Sequence, residues 1–187
     1  MDRFRLALTE EEKSFLKTLV RLSIASRLAE KDIEPPKPPT ELLTRELGAF
    51  VTLTLDGALR GCIGNVVGRG PLYQTIWNMA RAAAFEDPRF RPVSALEFDA
   101  LSVEISILGP VEPCPDPALI EIGRHGLIMT RGGRSGLLLP QVPVEWHWNR
   151  EQFLAHTCTK AGLPESAWQD PGTQILWFEA EVFSEKS

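Results

Sequence analysis

Four prolines in the stretch Pro35-Pro36-Lys37-Pro38-Pro39 separate whatever precedes them from whatever follows. Proline has no amide donor, fixes its own φ and drives the residue before it out of helical geometry, so this stretch is a stiff, extended connector. On its N-terminal side, Thr9-Glu10-Glu11-Glu12 has the Thr-x-x-Glu form of a capping box. Phe15, Leu16, Leu19, Val20 and Leu22 then recur at helical spacing, which predicts an amphipathic helix running to about Lys31.

Beyond the connector the periodicity changes from helical to alternating. Residues 49–55 are apolar or β-branched, Asp56-Gly57 suits a tight primed turn, and residues 58–67 form the returning strand. Pro71 fits a first helical position, and Leu72, Ile76, Met79, Ala80 and Ala83 line one side of a helix that ends near Asp87, before Pro88. Residues 100–108 alternate as a strand with one dry face, and 111–117 read as loop. Residues 126–130 and 135–139 are predicted strands joined through Arg131-Gly132-Gly133-Arg134. A third helix is expected over 150–161, opened by Asn149 and Gln152 and closed by Gly162 and Pro164, before a last strand over 174–183. The expected class is α+β, with antiparallel or mixed β-sheets flanked by about three main helices.

Bulk properties narrow the function. A length of 187 residues suits one domain, or two small interleaved lobes sharing a core, and 43% hydrophobic with 24% charged residues argues against disorder. A formal charge of -5 lacks the basic footprint of a nucleic-acid binder, so nucleic acid is not an expected partner. No apolar run approaches membrane-spanning length, and Met1-Asp2-Arg3 does not open a signal peptide, which together point to the cytoplasm and away from the membrane. Cys62, Cys114 and Cys158 form no CxxC pair, and His125, His147 and His156 are dispersed. Reduced thiols, no metal and no cofactor are therefore expected.

Leu59-Arg60-Gly61-Cys62-Ile63-Gly64 is the most unusual stretch, because two glycines interrupt a strand, as happens where a backbone or ligand comes close. Simple alternation places Arg60, Cys62 and Gly64 on one face and Leu59, Gly61 and Ile63 on the other. An arginine beside a cysteine favours thiolate, the form that acts as nucleophile, so Cys62 is the candidate catalytic residue, with Arg60, Gly61 and Gly64 forming a floor open to a small-molecule ligand. The bland alternative makes Cys62 a small buried hydrophobe and the glycines a relief of crowding. His125 is a candidate base arriving from elsewhere in the chain, and a structural histidine is its ordinary alternative.

In Phe85-Glu86-Asp87-Pro88-Arg89-Phe90, Asp87 sits unfavourably at a helix C-terminus unless Arg89 or Arg60 compensates it, making a structural ion pair or an acid–base site. Gln141, in the proline-bracketed Pro140-Gln141-Val142-Pro143 bend, either holds a ligand amide or satisfies loop backbone groups. Glu145-Trp146-His147-Trp148 is more consistent with core anchoring than with base stacking.

The Leu59–Gly64 hexapeptide resembles the LRGCIG hallmark of the AMMECR family. Asp87-Pro88-Arg89-Phe90, Leu138-Leu139-Pro140-Gln141-Val142-Pro143 and Lys160-Ala161-Gly162-Leu163-Pro164 with Trp168 follow in the family's order. The resemblance, of the AmmeMemoRadiSam system protein A type, covers nearly the whole chain. It implies one AMMECR-type domain of two intimately packed lobes, and radical-SAM and Memo-like proteins as pathway partners. It brings no established reaction. The Glu145–Trp148 stretch departs from the glycine-tryptophan form of the family, so His147 is not carried over. The function expected on this basis is a component of a modification pathway with a ligand or partner site at the hexapeptide, and the competing expectation is a non-catalytic adaptor whose hexapeptide is structural.

Overall fold

A computed structural model describes residues 6–185, so the Met1-Asp2-Arg3 opening lies outside the described residues. The first helix, α1 (Glu10–Leu28), starts at the expected capping box: Thr9 Oγ1 accepts from the Glu12 amide at 3.2 Å and Glu12 Oε2 accepts from the Thr9 amide at 2.8 Å. It stops three residues short of Lys31 because Glu30 takes a left-handed φ of 53°. The Lys31 amide then donates to Ser26 O and the Glu30 amide to Arg27 O, the paired bonds that close a helix at a residue usually filled by glycine.

Residues 7–108 together with 181–185 form one compact unit, and 109–180 form another. In the first, β1 (Gly48–Leu55) and β2 (Ala58–Asn65) make the expected hairpin, with Asp56 and Gly57 both at positive φ as a primed turn requires. β3 (Leu101–Leu108) pairs antiparallel with the other edge of β1, giving the order β2-β1-β3. Ala49, Val51, Leu53, Val103, Ile105 and Ile107 lie on one face and are fully buried. α1 and α2 (Leu72–Phe85) pack together over the sheet. A short helix unforeseen in the sequence, α3 (Ala95–Phe98), follows a second capping box made by Ser94 and Glu97.

In the second unit, the expected 111–117 loop instead contains β4 (Glu112–Pro113), and a 3-10 turn capped by Asp116 follows at Pro117–Leu119. β5 (His125–Arg131) and β6 (Arg134–Leu138) form the second hairpin. The expected Pro140–Pro143 bend is the beginning of a short helix, α4 (Gln141–Glu145), because Pro140 holds helical φ and ψ at its N-cap. α5 (Arg150–Lys160) matches the predicted third helix. β7 (Gln174–Ser184) pairs antiparallel with β5 and with β4, and its residues after Ala180 belong to the first unit. Leu127, Met129, Phe153, Leu154, Cys158 and Trp177 are the centre of this unit's core. The α+β class, both hairpins and the three main helices therefore stand as expected.

Candidate functional site

The glycines of the hexapeptide are spaces for backbone. A Cβ on Gly61 would collide with the carbonyl oxygen of Ala83 in α2, and one on Gly64 with the Ala49 carbonyl and the Phe50 ring. Gly61 thus fixes how closely β2 approaches α2. Cys62, the next residue, points to the opposite face, where it is half-buried. It lies opposite Thr52, which in turn lies opposite Glu104, so the three form one row across the sheet. Thr52 Oγ1 and Cys62 Sγ are 3.1 Å apart, a hydroxyl–thiol hydrogen bond. Beside this row is a shallow cavity of about 210 Å³, lined by Thr52, Thr54, Ser102, Val103, Glu104 and Ser184.

Alternation fails at Arg60. Leu53 pairs with Gly61 but Thr54 pairs with Leu59, so Arg60 is the extra residue of a β-bulge. The bulge puts Leu59 on the Cys62 face and sends the Arg60 guanidinium elsewhere. Its Nε donates to Glu97 Oε1 at 2.9 Å and its Nη1 to Arg91 O at 2.8 Å. The expected Arg60–Cys62 pairing is therefore replaced by an Arg60–Glu97 ion pair. Arg60 and the Ser94 amide hold the Glu97 carboxyl down at about 2, against its ordinary 4.5.

Asp87 and Arg89 are the residues brought to Cys62. β2 is the edge of its three strands, and the outward amide of Cys62 donates to Asp87 Oδ2 at 2.9 Å. Arg89 closes on the same carboxylate, Nε to Oδ1 at 3.0 Å and Nη2 to Oδ2 at 2.7 Å, and Nη2 reaches Cys62 O at 3.4 Å. The pair supplies the donor and acceptor that a further strand would supply, which blunts the edge. The Arg89 guanidinium and the Cys62 amide hold the buried Asp87 carboxyl well below the usual carboxylate range. The sequence expectation of an Asp87–Arg89 ion pair is met.

His125 and Gln141 belong to the other unit. His125 is buried, stacks on Trp177 with centroids 4.4 Å apart, and accepts from the Glu121 amide through Nδ1 at 2.9 Å. It borders a cavity of about 40 Å³, room for little more than a water, with Glu112 and Glu179 also on the wall. Gln141 opens α4, and its Oε1 is buried with no hydrogen-bond partner among the described residues, so that oxygen does not satisfy the loop amides. Trp146 is 67% exposed and stacks toward Trp148, which itself stacks on His156 at 3.8 Å and packs on the core. Core anchoring thus describes Trp148 and not Trp146. Among the described residues no three His, Cys, Asp or Glu side chains gather in a metal-binding group, and no helix is long and apolar enough to cross a membrane.

Thr52 and Glu97 were missed by sequence reasoning. Ser94-Ala95-Leu96-Glu97 carries the same capping-box signal as Thr9–Glu12 and was legible. Thr52 was not, because an Asp-Gly turn without a bulge sets it against Gly61.

The first unit is thus a two-helix cover on a three-stranded sheet, with a half-buried thiol on its glycine-packed edge hairpin. A family model described as AMMECR1 matches residues 17–183, and the chain belongs to that family. A protein of Thermococcus gammatolerans is 46% identical over 188 residues, covering 95% of this chain and 92% of its own. Protein MK0488 of Methanopyrus kandleri is 45% identical, covering 96% and 91%. The crystal structure of the uncharacterized protein PH0010 from Pyrococcus horikoshii matches with a TM-score of 0.85 at 45% identity, over 96% of this chain and 94% of that one.

Proposed function

We propose that this AMMECR-type protein is a cytoplasmic component of a radical-SAM-associated modification pathway, binding a small ligand or a partner's modified side chain on the sheet face that carries Cys62. One observation carries the site. Arg60, Gly61 and Gly64 are committed to bracing and packing, whereas the Cys62 sulfur meets the Thr52 hydroxyl on a half-buried, hydroxyl-rich face. A thiol there is available as nucleophile or as ligand contact, and Arg89 is the nearby cation. The pathway and its radical-SAM and Memo-like partners are supported by the family resemblance alone.

Alkylation of the native protein with iodoacetamide, mapped by mass spectrometry, tests the site. Cys62 is expected to react well before the fully buried Cys158, and Cys62→Ser to fold normally while losing ligand or pathway output. A folded Cys62→Ser protein that keeps every partner complex and every pathway output removes the thiol from the function. The adaptor reading then takes its place, favoured by the bracing roles of Arg60, Asp87 and Arg89 in the hairpin.

A further inference from the structure

Among the described residues Arg21, Arg60, Arg89, Arg124 and Arg131 each make an ion pair with a carboxylate. Arg27, Lys31 and Arg81 do not, and among the described residues they make no ion pair of any kind. Other cations of the described residues also lack an ion pair, but these three line one cavity. Arg27 lies in the last turn of α1, Lys31 follows the helix stop, and Arg81 faces them from α2, around about 630 Å³ shared with Glu30 and Asp32. Asp32 and Arg81 also border an adjoining cavity of about 390 Å³, whose α2 wall is Tyr73, Gln74, Trp77 and Asn78.

Arg81 is held in position. Its Nη2 donates to the buried Ser26 Oγ at 3.0 Å, and its Cζ sits 4.9 Å from the centre of the Trp77 ring. Its Nε, however, is buried and lacks a hydrogen-bond partner among the described residues. A charged donor in that condition is costly unless a bound group accepts from it. Compensation of the α1 dipole explains a cation at Arg27, but not one on the neighbouring helix, and not the unbonded Nε.

We infer that this groove is an anion-binding site for a small organic phosphate or carboxylate, with Arg81 as its fixed fork, Arg27 and Lys31 as its outer cations, and the Tyr73–Asn78 side of α2 taking the uncharged body of the ligand. A planar guanidinium matches two oxygens of either oxyanion, and the two cavities have the size of small-molecule sites. The inference is independent of Cys62, which does not line either cavity.

Calorimetric titration of the full chain with inorganic phosphate, and separately with succinate, at constant ionic strength set by chloride, tests it. Saturable binding is expected for at least one of them, weakened about tenfold or more by Arg81→Gln and several-fold by the double variant Arg27→Gln, Lys31→Gln. Arg131→Gln, at the ion pair with Asp170, is the control and is expected to bind as the parent does. Phosphate binding alone assigns a phosphate ligand, and succinate binding alone a carboxylate. If Arg81→Gln fails to fold, the exposed Arg27 and Lys31 pair decides by itself. Absence of saturable binding of both anions, or binding unchanged in the folded variants, overturns the site.

Discussion

Glu97 lies half-buried in the short helix α3, where three donors converge on it: the Arg60 guanidinium and the amide and hydroxyl of Ser94. These bonds favour the ionised carboxylate, so its folded pKa of about 2 lies below the ordinary 4.5. A carboxylate whose pKa is depressed by folding contributes stability that is fully present above its unfolded pKa and is lost as pH falls through the folded value. Chemical denaturation midpoints are therefore expected to decline between pH 4.5 and about 2, and Glu97→Gln to lower the midpoint at pH 7 and flatten that decline. Asp87 is shifted in the same direction by Arg89, so a smaller acid loss persists in the variant. A Glu97→Gln protein with an unchanged acid profile sinks the bracing role. At this scale the sequence showed the residue types but assigned Arg60 to the wrong partner, since alternation carries no mark of a bulge. Asp87 and Arg89 were legible because proline fixes the turn between them.

Between elements, β2 packs closely on α2 at Gly61, where an added Cβ would meet the Ala83 carbonyl. Backbone meets backbone there, so no side-chain rotation relieves an added methyl group. Gly61→Ala is expected to cost about 3 kcal/mol, the range of overpacking where the backbone itself must move, with a lower midpoint in urea and an unaltered m-value. Gly57→Ala is a useful contrast, since nothing lies near its Cβ position and only its positive φ opposes the change. If Gly61→Ala is as stable as the parent, the glycine is not a packing device and its place in the hexapeptide needs a ligand to explain it. Elements of this kind were readable where a local signal existed: the Thr9 capping box, the Asp56-Gly57 turn and the Asn149 cap all appear where expected. The short β4 and α4 were not, because their existence rests on pairing with β7 and on the Pro140 geometry and not on any run of propensity.

For the molecule as a whole, the instructive strand is β7, which serves one unit as far as Ala180 and the other beyond it. After Ala180 the chain works as a clamp on α1 and β3. Glu181 accepts from the Leu8 amide at 2.8 Å and pairs with Lys13 at 2.8 Å, while Glu185 accepts from Arg21 Nε at 2.8 Å and its amide donates to Val103 O at 3.0 Å. Arg21 in turn donates to Phe98 O at 2.7 Å, tying the turn before β3 into the same network. The sequence foretold a terminal strand over 174–183 but not that its last residues leave one unit for the other, since that choice is made by carboxylates whose cations lie some 165 positions earlier in the chain. Ending the chain after Ala180 is expected to lower Tm by roughly 5–10 °C, the equivalent of two to three lost part-buried interactions, and to raise amide exchange in α1 and β3 while leaving α5 and β5 protected. The double change Lys13→Gln, Arg21→Gln separates charge from chain: it removes both ion pairs with the strand intact, and is expected to reproduce part of the exchange increase in α1. Unchanged protection of α1 in the shortened chain shows that α1 is held by α2 and the sheet alone, and that the β7 carboxylates are surface decoration.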